Sequence, residues 1–550
     1  MATDWKIIAA GKKAQQQASI PKEWLLSNLP PQSVLDISGF PETCGLLSDE
    51  ELQITRSDTD TLLAKLASGE WSSVKVTTAF YKRAIVAQQI TNCLTEIFVE
   101  RALARAAELD EHLKKTGKVV GPLHGLPISL KDQINVKGID SCMGYVSWID
   151  KPAESNAVLT DILESAGAVP FVKTNIPQTL MWPETYNHVF GRTNNPYNRS
   201  LTSGGSSGGE GALVSLRGSP VGVGSDIGGS VRIPSAFCGT YGLRPCYGRV
   251  PYAGCVNSME GQDSVPSVLG PISNDIAGIK HFMKAVIDAK PWLQDPLAVR
   301  KRWSEEEYNL VDHGNGKNLC FGILWDDGLE TVKKALLDAG HKVIDWKPLK
   351  HPEIYETLRG VWGAGAEEDY RTVTALSGEP IISTMVPEDA IVKDSGEWFV
   401  VDTGVSAFQL WQTQKHKRDL RQEYLRHWED TVSVTGTGRP VDAIISPVAP
   451  YAAPPHGLNK NANYTLIWNG LDYAALVIPV SKVDQALDVQ RPRNQFYNDT
   501  DKALYESYNP ETFKNAPISV QVVGRTLEEE AVIAMSEIVD NALKTSKAKS

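Results

Sequence analysis

Apolar positions recur at helical spacing through residues 49–110. Leu62, Leu63 and Leu66 share one face, Gly69 interrupts the pattern, and Val76, Phe80 and Ala84 resume it. The spacing predicts a helical layer packed on a sheet. From residue 119 the texture changes to short apolar runs split by Gly and Pro: Val119-Val120, Leu126-Pro127-Ile128 and Val169-Pro170-Phe171-Val172. These read as buried strands, with a helical stretch over 156–166 between them. The alternation predicts an α/β architecture with a large, partly parallel sheet in one continuous domain. The expected division is an N-terminal extension over 1–48, the helical layer over 49–110, a region carrying the chemistry over 119–280, and a variable part over 281–550. Residues 290–320 and 435–462 carry Pro, Asn and Gly and read as loop-rich. No repeat of fixed period is visible.

Composition narrows the class. Charged residues make up 22% and the hydrophobic set 42%, which suits a soluble globular chain and excludes a disordered, collagen-like or membrane-spanning one. Lys plus Arg number 55 against 66 Asp plus Glu, a net charge of -11 that repels phosphate backbones, so no nucleic-acid partner is expected. The seven cysteines are scattered and lack a C-x-x-C pair, which argues for a reducing compartment, the cytoplasm by default. Met1–Ser19 holds no apolar stretch of signal-peptide length. The ten histidines show no H-E-x-x-H or paired spacing, so no metal is expected.

Leu201–Ser230 stands apart, because ten of its thirty residues are glycine against 44 in 550 overall. Interspersed Ala212, Leu213, Val214, Leu216, Val221, Val223 and Ile227 exclude a flexible linker. A dinucleotide turn fails because Gly222-Val-Gly224-Ser-Asp-Ile227 has isoleucine at the third glycine position, and no Walker loop occurs. A nucleophile elbow, G-x-S-x-G, is formally present at Gly204–Gly208, which would make Ser206 the nucleophile of a Ser-His-Asp esterase with His456 as a candidate base. The third reading places an oxyanion nest at Asp226-Ile227-Gly228-Gly229-Ser230, with a serine at its lip and a short helix starting there. Serine needs a base, and no histidine lies in the segment. Lys131 ends a probable strand in Gly125-Leu-Pro-Ile-Ser-Leu-Lys-Asp-Gln133 and is the one lysine in a strongly buried-looking context; desolvation can make such a lysine a base near neutrality.

Taken together these residues resemble the amidase signature family of serine hydrolases. The matching blocks are Leu123–Pro127, Lys131-Asp132, Lys173-Thr174-Asn175, Gly204–Gly209, Asp226–Pro234 and Gly242–Pro245, with Lys131 99 residues and Ser206 24 residues before Ser230. Met181–Thr185, Gly191–Pro196, Glu210–Leu213 and Asn257–Gln262 look closest to the fungal acetamidase branch, with fatty acid amide hydrolase as the nearest other branch.

The resemblance implies a mixed twisted sheet covered by helices on both faces and hydrolysis of a small amide without a cofactor. It implies that Ser230 forms the acyl-enzyme, Lys131 is the base, and Ser206, on a cis peptide bond, relays protons between them. The oxyanion donors would be the N–H groups of Ile227, Gly228, Gly229 and Ser230, and Leu180 falls where relatives line the acyl channel. Ser207, Asp226 and Arg232 are expected to brace the loop, and His124 to tie a turn. No stable membrane attachment is expected, and the oligomeric state is left open, with a homodimer suggested by family habit alone.

Overall fold

The computed structural model describes residues 4–324, 329–386 and 404–549. Its strands are β1 (Leu94–Ile97), β2 (Pro127–Lys131), β3 (Val169–Thr174), β4 (Tyr186–Asn187), β5 (Gly191–Arg192), β6 (Val221–Asp226), β7 (Tyr241–Arg244), β8 (Val268–Ser273), β9 (Cys320–Ile323), β10 (Lys342–Asp345), β11 (Ala443–Pro447), β12 (Ala475–Lys482) and β13 (Pro517–Val523). Eleven of them form one sheet in the order β1-β3-β2-β6-β8-β7-β12-β13-β11-β9-β10, while β4 and β5 make a separate ribbon. β2 runs parallel to both β3 and β6, and β9 parallel to β10 and β11; the remaining pairings in the large sheet are antiparallel. The mixed α/β sheet anticipated from the alternating runs is present, with helices flanking it.

Strands β2, β3, β6 and β8 are buried along their whole length, as strands covered on both faces must be. Helix Gly208–Ser215 packs on β6, and helix Arg232–Cys238 packs on β7, β12 and β13. Helix Ile276–Asp288 covers β8, and helix Glu529–Lys549 lies against β12 and β13. Among the described residues no helix is long and apolar enough to cross a membrane.

The helical layer divides where local chemistry dictates. Helix Asp49–Arg56 begins with a reciprocal cap between Ser48 and Glu51. Helix Thr59–Ser68 ends at Gly69 in the left-handed region. Helix Ser73–Thr91 starts where Ser72 accepts the Lys75 N–H at 3.1 Å and the Asp110 carboxylate takes the N–H groups of Ser73 and Val74.

Three expectations are corrected. Strand β1 interrupts the predicted helical layer, because Leu-Thr-Glu-Ile is too short to show its alternation beside two long helices. Val119-Val120 is no strand: the pair follows the helix Val99–Thr116 in a turn and remains about two-fifths exposed, at 39% and 38%. The stretch 435–462 is not simply a loop, since Ile444 and Ile445 form the heart of β11 against β13 and β9.

Lys131 is the last residue of β2 and Asp226 the last of β6. Because these neighbouring strands are parallel, with Leu130 opposite Val223, both chains leave the sheet at the same edge. Carboxyl ends of parallel strands are where open α/β sheets gather functional groups. The Gly222 spacing, read first as a possible phosphate turn, has a packing cause. A methyl group there would overlap the Glu210 carboxyl, so helix Gly208–Ser215 can press onto β6 only over glycine.

Candidate active site

Lys131 is fully buried, and its Nζ lies 2.7 Å from Ser206 Oγ and 2.8 Å from Ser225 Oγ. Burial disfavours its ammonium form more than Asp226, Glu210 and Asp132 support it, and its pKa is lowered to about 7. Two further lysines are buried, Lys12 and Lys173, so the expectation of a single one is corrected. Their surroundings differ. Lys12 meets Glu96 at 2.7 Å and Asp140 at 2.8 Å. Lys173 donates to the Asp140 carbonyl and to Ser141 Oγ, both at 2.6 Å. Lys131 alone of the three faces only hydroxyls among the described residues.

The Gly205–Ser206 peptide bond is cis. Ser207, the next residue, braces two elements: its N–H donates to the Ser230 carbonyl at 3.2 Å, and its hydroxyl accepts the Ser225 N–H at 3.2 Å and donates to the Ser225 carbonyl at 3.3 Å. Ser230 keeps 8% of its surface exposed while Lys131 and Asp226 keep none, and its hydroxyl has no partner among the described residues. No hydrogen bond joins the Ser206 and Ser230 hydroxyls there. Such contacts commonly tighten only when substrate is bound.

The loop from β6 to helix Arg232–Cys238 is clamped by Asp226. Its carboxylate accepts the N–H groups of Gly229 at 2.8 Å and Val231 at 3.2 Å, and pairs with Arg232 Nε and Nη2, both at 3.0 Å. Burial opposes ionisation of Asp226, but the Arg232 guanidinium outweighs it and holds the carboxyl well below the usual range. Helix Asn463–Leu471 completes the clamp. Thr465 Oγ1 donates to the Gly228 carbonyl at 2.7 Å, and Asn469 reaches both Asp226 and Arg232, while Gln521 accepts from Arg232.

One consequence departs from the four-donor nest. Gly229, at φ +137 where only glycine is comfortable, commits its N–H to Asp226. The N–H groups of Ile227, Gly228 and Ser230 have no acceptor among the described residues, so three of the four expected donors are open. Beside them, a Cβ built on Gly228 would meet Leu466 Cδ2 at 3.1 Å and Trp362 Cη2 at 3.6 Å, which makes this side of the loop apolar and close. Leu180 is buried with Met143, Tyr145 and Ile176, and Val256 packs against that cluster.

Several participants escaped the sequence reading. Glu210 sits beneath the lysine, accepting from Ser129 Oγ at 2.6 Å and Thr174 Oγ1 at 2.9 Å, and burial pushes its carboxyl up to about 8. Ser225 joins the lysine from β6, and Gln133, two residues past the end of β2, accepts from the Ser225 hydroxyl. No local signal marked them, because Gln133 lies in the turn after β2 and Ser225 within the glycine-rich segment. His456, the candidate base of the esterase reading, faces elsewhere, with Nε2 3.1 Å from the Arg199 carbonyl. His124 ties its turn by accepting the Val120 N–H at 3.2 Å. No group of three or more His, Cys, Asp or Glu residues suited to a metal occurs among the described residues.

The family profile described as Amidase matches residues 75–533. Acetamidase of Emericella nidulans is 41% identical, over 99% of this chain and 99% of its own length. Acetamidase of Aspergillus oryzae is 42% identical over 98% and 99%. Among solved structures, fatty acid amide hydrolase superposes with a TM-score of 0.89 at 33% identity, covering 98% of this chain and 95% of its own. Both ends of the comparison, sequence over nearly the whole length and backbone over the whole sheet, lead to one conclusion: the chain belongs to the amidase family and is a hydrolase acting on amides.

Proposed function

We propose that this enzyme hydrolyses short-chain primary amides to a carboxylate and ammonia through an acyl-enzyme on Ser230, with Lys131 as base and Ser206 as relay. The observation that carries the reading is a fully buried lysine whose Nζ lies 2.7 Å from a serine hydroxyl, its pKa lowered by that burial to about 7. In the proposed cycle neutral Lys131 accepts the Ser206 proton while Ser206 accepts that of Ser230. Ser230 Oγ bonds to the amide carbon, and the carbonyl electron pair moves to oxygen. The resulting oxyanion meets the N–H groups of Ile227, Gly228 and Ser230. As the C–N bond breaks, the proton travels back through Ser206 to the departing nitrogen, without which an amide leaves poorly. Water repeats the attack on the ester and releases carboxylate. Asp226, Arg232 and Ser207 hold the loop in register for these steps.

Small acyl groups are favoured by near full-length similarity to two acetamidases and by the apolar wall of Leu466 and Trp362 close against Gly228. A second reading, long-chain lipid amides, is favoured by the structural likeness to fatty acid amide hydrolase. A kinetic panel of straight-chain primary amides from two to eighteen carbons separates them: a maximum below five carbons supports the first, one above twelve the second. The mechanism is tested by labelling with a fluorophosphonate and mapping the adduct. Label on Ser230, lost in Ser230→Ala, is expected; label on Ser206, or amide turnover surviving in Ser230→Ala, would overturn it. The seven free cysteines support a cytoplasmic location.

A further inference from the structure

We infer that Gln133, acting through Ser225, fixes the direction of the hydrogen bonds around Lys131 and so reserves the lysine's lone pair for Ser206. The inference rests on the proposed role of Lys131 as base. It starts from the Val256 carbonyl, which can only accept. Gln133 Nε2 lies 3.0 Å from that oxygen and 2.6 Å from Tyr252 Oη, so the nitrogen of the side-chain amide must point this way. The main chain holds the two residues side by side, since the Val256 N–H donates to the Gln133 carbonyl at 2.9 Å. Gln133 Oε1 therefore points at Ser225, whose hydroxyl donates to it at 2.6 Å.

A serine hydroxyl has one hydrogen. With that hydrogen committed to Gln133, Ser225 can only accept from Lys131, 2.8 Å away. The amine is thus made a donor on the Ser225 side. Its lone pair, the part that must take a proton, is left to the other hydroxyl within reach, Ser206 at 2.7 Å. Without Gln133 Oε1, the Ser225 hydroxyl could swing round and donate to that lone pair, blocking the base with a contact as short as the productive one. Gln133 is a positioning residue on this account, touching neither substrate nor the reacting atoms. The charged or titratable neighbours of Lys131 are Asp226, Glu210 and Asp132, and none of them supplies this directionality, because none accepts from or donates to its Nζ.

The test is a double-mutant cycle on short-chain amide hydrolysis by the full chain. Gln133→Met, close in shape but without the acceptor, should lower kcat by about 10–100-fold with KM within about threefold. Ser225→Ala removes the competing hydroxyl, so the double variant should be no slower than the slower single variant. Losses that multiply, or a Gln133→Met enzyme as fast as wild type, overturn the inference. Should Gln133→Met fail to fold, Gln133→Glu serves: it retains an acceptor and adds negative charge, so the acid limb of kcat/KM should move to higher pH, and an unmoved limb counts against the inference. Failure of the underlying functional reading looks different, because Lys131→Ala would then retain wild-type amide turnover.

Discussion

At residue scale the decisive fact is what Lys131 lacks: a carboxylate in contact. Lys12 is held charged by two carboxylates, whereas Lys131 meets only hydroxyls and is left to the cost of burial. A base that works neutral and titrates near 7 predicts that kcat/KM climbs through about pH 7 and falls about tenfold per unit below it. A pH profile flat down to pH 5 would contradict this. Lys131→Ala should lose about 10²–10⁴ in kcat, read by steady-state kinetics against amides. Lys131, Ser206 and Ser230 could be named from the chain because short ordered motifs surround them. Gln133 and Ser225 could not: each is an ordinary polar residue whose meaning arises only when β2 and β6 lie side by side.

At the scale of elements, the turn between β6 and helix Arg232–Cys238 is only five residues long, yet it is fastened by a buried ion pair and by helix Asn463–Leu471. Removing one partner of such a pair strands a charge in the interior. Asp226→Asn should therefore lose about 3–5 kcal/mol, measured as a drop in urea midpoint at pH 7. The sign with pH follows. Asp226 ionises more readily when folded than when unfolded, so its contribution is full above the unfolded value near 3.9 and fades as pH falls beneath it. The gap between wild type and Asp226→Asn should stay constant above about pH 5 and narrow progressively as pH falls below about 4; a gap unchanged down to about pH 3 would argue against the pairing. Strand β6, which carries this turn, was not legible as a strand, because Gly222 and Gly224 break its apolar run. Its partner Thr465–Asn469 was hidden too, since nothing local in a helix announces contact with a loop more than two hundred residues earlier.

At the scale of the whole molecule, the N-terminal helix Trp5–Ala18 is fixed by two cations, and Lys13 donates to Asn92 Oδ1 at 2.7 Å. Lys12 reaches Glu96 on β1 and Asp140 beyond β2, and Gln16 donates to the carbonyls of Leu94 and Thr95. Lys12→Met should leave two carboxylates facing one another and lower the urea midpoint by the equivalent of about 3–5 kcal/mol, with partial recovery on adding Glu96→Gln. An unchanged midpoint would show that the helix is held by apolar contacts alone. The division into layers was readable from periodicity; this attachment was not, because Lys12 sits in a polar-looking stretch, Gly11-Lys12-Lys13, that reads as surface.

The strand order carries one more implication, for synthesis. β12 and β13 come late in the chain yet are wedged between β7 and β11 in mid-sheet. A ribosome that has released residues up to about 440 has thus exposed β7 with one edge bare, and bare edges recruit strands from other molecules. Premature stops or clipping ahead of residue 475 should yield insoluble fragments rather than a weakened enzyme, and separately expressed halves should become soluble only when made together.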